Sequence, residues 1–219
     1  MTDKEMREPL FDYLDLTFGK NRVIEEKIIQ GSRADVVAVL EGHLAGIEIK
    51  SDRDTYTRLS SQVPDYDKNF DYCYLAVGAS HEKHAAEHVP DHWGILVIRE
   101  DGVEEIRPAT PSPKLDRKKQ LRILWKRELY HILDTHDFPK YRGKSVAFII
   151  EYLIDRLPPE ELMRAVTEEL FERDYTIFED APKVQVKIRK TKAGVKVKRK
   201  TAPTLTKHTI GRKSRKKKH

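Results

Sequence analysis

The amino-acid sequence predicts an α/β fold in which a mixed sheet is flanked by helices. The first observation is the order of the segments: one helical segment, three strand-like segments, and then helices alternating with further strands. The second is periodicity, because apolar residues recur at helical spacing in residues 3–18 and form short, bounded runs in the strand-like segments. Chains with this order of segments fold into a sheet with helices packed on its faces.

The individual elements follow from the same patterns. The first helix spans residues 3–18 and ends at Gly19, and a polar second helix spans about residues 55–68, where Pro64 bends it or delays its start. Asp101-Gly102 predicts a hairpin turn between the last two strands. The predicted strands are residues 23–29, 35–40, 44–50, 72–77, 94–99 and 103–107, with a third helix at residues 81–88.

A linker that contains Pro108, Pro111 and Pro113 separates this region from a helical one. Residues 114–136 carry an apolar stripe at helical spacing and predict one long helix, and further helical segments continue to about residue 175. The sequence therefore predicts an α/β core over 1–108, a helical subdomain over 109–180 and a basic, disordered tail over 181–219.

The charge of the chain is divided between its two ends. Residues 183–219 contain 16 of the 42 Lys and Arg residues and none of the 36 acidic residues, so the remainder carries a net charge of −10. A basic tail of this kind binds polyanions through phosphate charge, which favours nucleic acid as the partner over a tail that serves solubility alone.

Cysteine content and hydropathy predict the compartment. The single cysteine, Cys73, allows no disulfide within the chain, which is typical of a reducing interior. The first 15 residues are charged and lack the apolar run of a signal peptide, and no apolar run is as long as a membrane span. We therefore expect a cytoplasmic protein without a membrane partner, and the oligomeric state stays open, a homodimer included.

Three polar residues lie on the predicted hairpin between the second and third strands. Residues two apart in a strand face the same side, so Glu48 and Lys50 share one face of the sheet. A two-residue turn at Glu41-Gly42 places Asp35 opposite Glu48, and a four-residue loop places it opposite Lys50. Either register brings the three side chains to one face, whereas an odd-length loop without a bulge does not.

The predicted pairing sets two carboxylates side by side on a largely apolar sheet, where like charges repel each other. A divalent cation removes this conflict, and oxygen ligands of this kind suit Mg²⁺. Asp35, Glu48 and the Ile49 carbonyl are therefore candidate metal ligands, with Lys50 close enough to act on an activated water or a phosphate. The alternative interpretation is structural: Asp35 caps a turn, while Glu48 and Lys50 form an exposed salt bridge.

The same residues resemble the signature of the PD-(D/E)XK nuclease superfamily, through the pattern Asp35-x12-Glu48-Ile49-Lys50. Gln62-x3-Tyr66, in the second helix, resembles the QxxxY motif of its RecB-like exonuclease branch. Ala34 departs from the pattern, since the superfamily's name has proline there. The resemblance covers about residues 5–107, is greatest to small stand-alone bacterial and phage members, and implies a restriction-endonuclease-like sheet.

The resemblance also implies an activity. The chain is expected to be a nuclease that depends on Mg²⁺ or Mn²⁺ and hydrolyses phosphodiester bonds. Asp35, Glu48 and Lys50 are the expected catalytic residues, and Gln62 and Tyr66 the expected substrate-positioning residues. DNA is favoured over RNA, in repair, in recombination or in the processing of phage and mobile-element DNA.

Two points stay open at this stage. The superfamily usually adds an acidic residue from the first helix, for which Glu8 is the first candidate and Glu5 the second, while Glu26 on the first strand is a third. The alternative function is that of a catalytically inactive protein with the nuclease fold that binds DNA or RNA.

Overall fold

A computed structural model describes residues 1–29 and 31–174, together with the backbone of Arg212 and Lys213. The first part contains α1 (Asp3–Phe18), β1 (Arg22–Ile29), β2 (Ser32–Leu40), β3 (His43–Lys50), α2 (Leu59–Asn69), β4 (Tyr72–Gly78), a 3₁₀ helix (Ala79–His84), α3 (Ala85–His88), β5 (Gly94–Arg99) and β6 (Gly102–Arg107). The second part contains α4 (Arg117–Gln120), a 3₁₀ turn (Leu121–Ile123), α5 (Lys126–Thr135), α6 (Val146–Arg156) and α7 (Pro159–Glu172).

The six strands form one mixed sheet in the order β6-β5-β4-β3-β2-β1. The pairs β1–β2, β2–β3 and β5–β6 are antiparallel, whereas β3 lies parallel to β4 and β4 parallel to β5. The prediction of an α/β fold with a mixed sheet flanked by helices, followed by a helical C-terminal region, is therefore confirmed.

The hairpin between β2 and β3 has the tighter of the two predicted turns. Leu40 pairs with His43 across a two-residue turn, and Gly42 adopts a φ of +74°, a conformation that glycine favours. The ladder continues to the pair Val36 and Ile47, so the same register brings Asp35 beside Glu48. This side-by-side arrangement fixes the geometry of the candidate site.

The two faces of the sheet are covered by different helices. On one face α1 packs its buried residues Met6, Leu10 and Leu14 against the strands, because their spacing of four places them on one side of the helix. On the other face the core runs without a break from the strands through α2 to the buried residues of α5, α6 and α7. The helices after Pro108 therefore share the hydrophobic core of the sheet.

The prediction of one long helix over 114–136 is wrong. The chain leaves helical geometry at Leu124 and Trp125, where ψ is 146° and 155°. Trp125 is the N-cap residue of α5, and its backbone N–H donates to Glu128 Oε2 at 2.6 Å. Glu128 is itself buried and paired with Arg173, so the interruption is held by a contact far along the chain.

The predicted tail of residues 181–219 lies outside the described residues, except for Arg212–Lys213. This pair forms a two-residue strand, β7, antiparallel to β1 at Arg22 and Val23, which the sequence did not predict. No helix in the described part of the chain is both long and apolar enough to cross a membrane.

Candidate functional site

A cleft of about 760 Å³ opens on the sheet face that α2 covers. Its floor is formed by Asp35 on β2 and by Glu48, Ile49 and Lys50 on β3. One wall is the tip of the β1–β2 hairpin, and another is the first part of α2. The start of α1 closes a third side. The side chains on these walls are Asp3, Arg7, Glu26, Ile28, Ser32, Arg33, Asp54, Arg58, Ser61 and Gln62.

Glu48 lies at the centre of this floor and is only 1% exposed. One of its carboxylate oxygens, Oε2, accepts a hydrogen bond from the Tyr66 hydroxyl at 2.7 Å. The other, Oε1, accepts from Gln62 Nε2 at 2.7 Å and forms a salt bridge with Lys50 Nζ. The alternative of an exposed Glu48–Lys50 salt bridge is therefore wrong, because both side chains are buried.

Asp35 completes the floor from the neighbouring strand. Its Oδ2 accepts a hydrogen bond from the backbone N–H of Ile49 at 3.0 Å, so the carboxylate bridges β2 and β3 where their backbone ladder has ended. The N–H and C=O of one strand residue point to the same side of the strand. The Ile49 carbonyl is therefore directed toward β2 as well, on the side where Asp35 lies.

Helix α2 positions the two predicted substrate-positioning residues. Gln62 and Tyr66 are four residues apart and reach Glu48 from the same helix face. Tyr66 is fully buried, and its hydroxyl also accepts from the backbone N–H of Asp35 at 3.2 Å. Phe70, one turn further on, covers Gly46 so closely that an added Cβ would lie 2.1 Å from the ring. Glycine at this position thus lets α2 lie directly on β3.

Burial and like charge perturb the acid–base properties of this floor. The pKa of Asp35 is raised from 3.8 to about 7, first by burial and then by the negative charge of Glu48. The Ile49 N–H and the Lys50 ammonium oppose this effect but do not cancel it. Burial and the same two carboxylates raise the pKa of the Tyr66 hydroxyl well above its usual value, so it acts as a neutral donor.

The donor set fits a magnesium ion. Two buried carboxylates lie on neighbouring strands, and the charge of one makes ionisation of the other costly, a conflict that a divalent cation relieves. Magnesium is commonly held by one or two carboxylates together with water and substrate phosphate. Among the residues that the structure describes, no three Asp, Glu, His or Cys side chains are grouped to bind a metal, so Asp35 and Glu48 supply two carboxylates and not three.

An arginine that the sequence analysis did not single out organises the rim of the cleft. Arg7 on α1 pairs with Asp3 at 2.8 Å, with Glu25 at 3.0 Å and with Glu26 at 2.8 Å. It also donates to the backbone carbonyl of Asp35 at 3.4 Å. Nothing in the spacing of Arg7 along the helix distinguishes it from a solvated charge, because its partners lie on another element.

The three candidates for an additional acid have different positions. Glu26 lines the cleft and lies opposite Asp35 in the β1–β2 register, but its φ of +54° interrupts the ladder there. Glu8 is exposed on α1 and does not line the cleft. Glu5 accepts from the backbone N–H of Thr2 at 2.7 Å in a capping box at the helix N-terminus. The acidic residue of α1 that does line the cleft is Asp3.

Comparisons with known proteins give one family and one structure. The model of the family described as bacteriophage P4 protein cII matches residues 2–201. No curated protein sequence matches the chain. Among solved structures, the chain is similar to SPO1766, a protein of unknown function from Silicibacter pomeroyi, at 20% identity and a TM-score of 0.43. That match covers 64% of this chain and 93% of the other.

Proposed function

This chain belongs to the bacteriophage P4 protein cII family, and we propose that it is a metal-dependent nuclease that hydrolyses phosphodiester bonds in DNA. The observation that carries the proposal is the pairing of Asp35 with Glu48 on the floor of a cleft, where burial and mutual repulsion raise the pKa of Asp35 to about 7. Such a perturbed acid in a cleft is a frequent mark of a reaction centre. A phage family is consistent with the processing of phage or mobile-element DNA.

In this proposal Asp35, Glu48 and the Ile49 carbonyl hold Mg²⁺ or Mn²⁺. The bound ion would act as a Lewis acid that neutralises charge on the scissile phosphate and lowers the pKa of a water molecule bound to it. Because Asp35 in the metal-free protein keeps its proton up to about pH 7, binding of the cation releases that proton. Metal affinity therefore rises with pH through the neutral range.

The remaining residues orient these groups. Tyr66 and Gln62 each donate to a different oxygen of Glu48, which fixes the rotation of the carboxylate. Lys50 lies two residues beyond Glu48 on the same face and binds one of its oxygens in the metal-free protein. With a cation held by that carboxylate, the Lys50 ammonium would donate to an oxygen of the phosphate as charge develops there.

A second candidate function is DNA or RNA binding without turnover. The salt bridge between Lys50 and Glu48 favours it, because each charge is neutralised by the other without a cation and both groups are occupied. In that case the acidic pair would be a structural remnant, and binding would not need a divalent ion.

Cleavage assays distinguish the two candidates. Labelled single-stranded and double-stranded DNA, linear and circular, is incubated with Mg²⁺ or Mn²⁺ and with wild type, Glu48→Gln or Lys50→Ala. Glu100→Gln, an exposed acid in the β5–β6 turn, is the matched control. We expect metal-dependent cleavage by wild type and by the control, and a loss of at least about 100-fold in both site variants. Folded wild type that binds DNA but never cleaves it would overturn the nuclease proposal.

A further inference from the structure

The walls of the cleft carry basic and apolar side chains that have no role in the proposed hydrolysis at the Asp35–Glu48 pair. Arg7 is held by three acidic side chains and Lys50 is held by Glu48. The other two basic side chains of the lining, Arg33 on the hairpin and Arg58 at the start of α2, are exposed. Arg33 is paired through its Nε alone and Arg58 has no ion pair among the described residues, so both keep N–H donors for a ligand that enters the cleft.

The two arginines differ in how they are held. The side chain of Arg33 is 61% exposed. Its Nε lies 2.7 Å from Glu26 Oε2, and this ion pair holds the guanidinium group at the rim of the cleft. The side chain of Arg58, at the N-terminal end of α2, forms no ion pair with any residue that the structure describes. The hairpin wall is tied to α2 by Ser32, whose hydroxyl donates to Asp65 Oδ2 at 2.6 Å. That bond sets the spacing of the two walls.

An exposed apolar side chain accompanies Arg33. Ile28 is 73% exposed, lines the cleft and is the cross-strand partner of Arg33 on the β1–β2 hairpin. In the described part of the chain this large apolar group, at the mouth of a cleft lined mainly by charges, has little packing role. Nucleic-acid-binding proteins use such side chains to contact or wedge between bases, while guanidinium groups bind the phosphates.

We infer that Arg33 and Arg58 bind phosphates on either side of the reaction centre while Ile28 contacts a base, so that one single strand of nucleic acid lies across the cleft. This inference rests on the proposed function and adds the form of its substrate. The cleft volume of about 760 Å³ suits one or two nucleotides, since sites that bury a small ligand measure roughly 300–1,000 Å³. A single strand can present an unstacked base to Ile28, whereas a duplex keeps its bases stacked and paired.

The test measures Kd for a fluorescent single-stranded oligonucleotide in Ca²⁺, and KM and kcat for its cleavage in Mg²⁺, on the full chain. Arg33→Ala with Arg58→Ala is compared with a charge-matched control, Arg53→Ala with Arg122→Ala, whose exposed arginines lie outside the cleft lining. We call the Arg33→Ala and Arg58→Ala double variant the cleft pair. Its Kd and KM should rise at least about tenfold while its kcat stays within about threefold of wild type, and the control should show neither increase. The slope of log Kd against log salt should fall by about 1.4, because each phosphate contact on a single strand contributes about 0.7.

Two further variants separate a phosphate contact from a structural role. Lysine at both arginine positions should restore most of the affinity, because the charge is kept. Ile28→Ala should weaken single-strand binding at least about threefold without changing the salt slope, whereas Ile106→Ala, an exposed isoleucine on β6, should not.

The outcomes distinguish this inference from the nuclease proposal. If the cleft pair binds and cleaves like the control pair, the inference is wrong even though the nuclease proposal stands. If wild type does not cleave but the cleft pair loses affinity, the nuclease proposal fails and the binding site stands. Equal affinity for duplex and single strand, with equal losses in the cleft pair, would overturn the choice of a single strand.

Discussion

Replacing Asp35 with asparagine should stabilise the metal-free protein at alkaline pH. In the folded chain the pKa of Asp35 is raised from 3.8 to about 7. The favourable contribution of the protonated acid is intact below about pH 3.8 and is fully lost once the pH has risen through about 7, because between these values the unfolded state has released the proton that the folded state still holds. The rise of this pKa from 3.8 to about 7 corresponds to about 4 kcal/mol of stability.

Asparagine keeps the size of the side chain and an oxygen that accepts from the Ile49 N–H, but it carries no charge beside Glu48. We therefore expect the free energy of unfolding of Asp35→Asn to exceed that of wild type by about 2–4 kcal/mol at pH 8, and by less than about 1.5 kcal/mol at pH 4.5. Urea unfolding in EDTA at pH 4.5, 6 and 8 measures the difference.

The control is Asp12→Asn, because Asp12 is exposed on α1 and its replacement should leave stability unchanged at every pH. A difference between Asp35→Asn and wild type that stays constant from pH 4.5 to pH 8 would refute the reasoning. Such a result would mean that Asp35 ionises freely in the folded protein, and the argument for a cation at this pair would lose its electrostatic basis.

The remaining predictions concern the groups around the same floor. Mg²⁺ at ten times its Kd should stabilise wild type at pH 8 by about 1.4 kcal/mol and Asp35→Asn by no more than about 0.4 kcal/mol, as measured by urea unfolding. Tyr66→Phe should lower the free energy of unfolding by about 1–3 kcal/mol and weaken Mg²⁺ binding, because the buried carboxylate of Glu48 loses a donor at 2.7 Å. Gly46→Ala should destabilise the fold by about 1–3 kcal/mol, because the new methyl group overlaps the Phe70 ring.

Two matched controls accompany these variants. Tyr72→Phe removes a hydroxyl from a half-buried ring outside the cleft lining, and it should leave Mg²⁺ binding unchanged. Gly143→Ala adds a methyl group where no atom lies within 4 Å, and it should not destabilise the protein. Equal effects in the test variant and its control would show that the packing and hydrogen bonds described here do not determine the result.

The sheet and the central pair were predictable because the information is local. Alternating apolar residues define β2 and β3, so parity alone predicts that Asp35, Glu48 and Lys50 share one face. The two-residue turn at Glu41-Gly42, one of the two that the sequence allowed, then brings Asp35 beside Glu48. The four-residue spacing of Gln62 and Tyr66 likewise fixes a shared helix face. Each of these features depends on neighbouring residues in one hairpin or one helix.

The rest of the site depends on contacts between distant segments. The role of Arg7 depends on its ion pairs with acidic residues on β1. The φ of +54° at Glu26 could not be predicted from the sequence, because glutamate rarely adopts a positive φ. The interruption before α5 is held by Glu128 and Arg173, which are 45 residues apart. Helical periodicity alone cannot report a break that a long-range ion pair stabilises.

The most direct test of the central claim is calorimetric titration of Mn²⁺ into the metal-free chain at pH 8. Wild type and the exposed-acid control Glu100→Gln should bind one ion with the same affinity, while Asp35→Asn and Glu48→Gln should each lose at least about tenfold. At pH 7 the wild-type titration should also release a proton from Asp35, detectable in buffers with different ionisation enthalpies. Wild type that binds no ion, or that binds it equally well without either carboxylate, would contradict the assignment of this pair as the metal site.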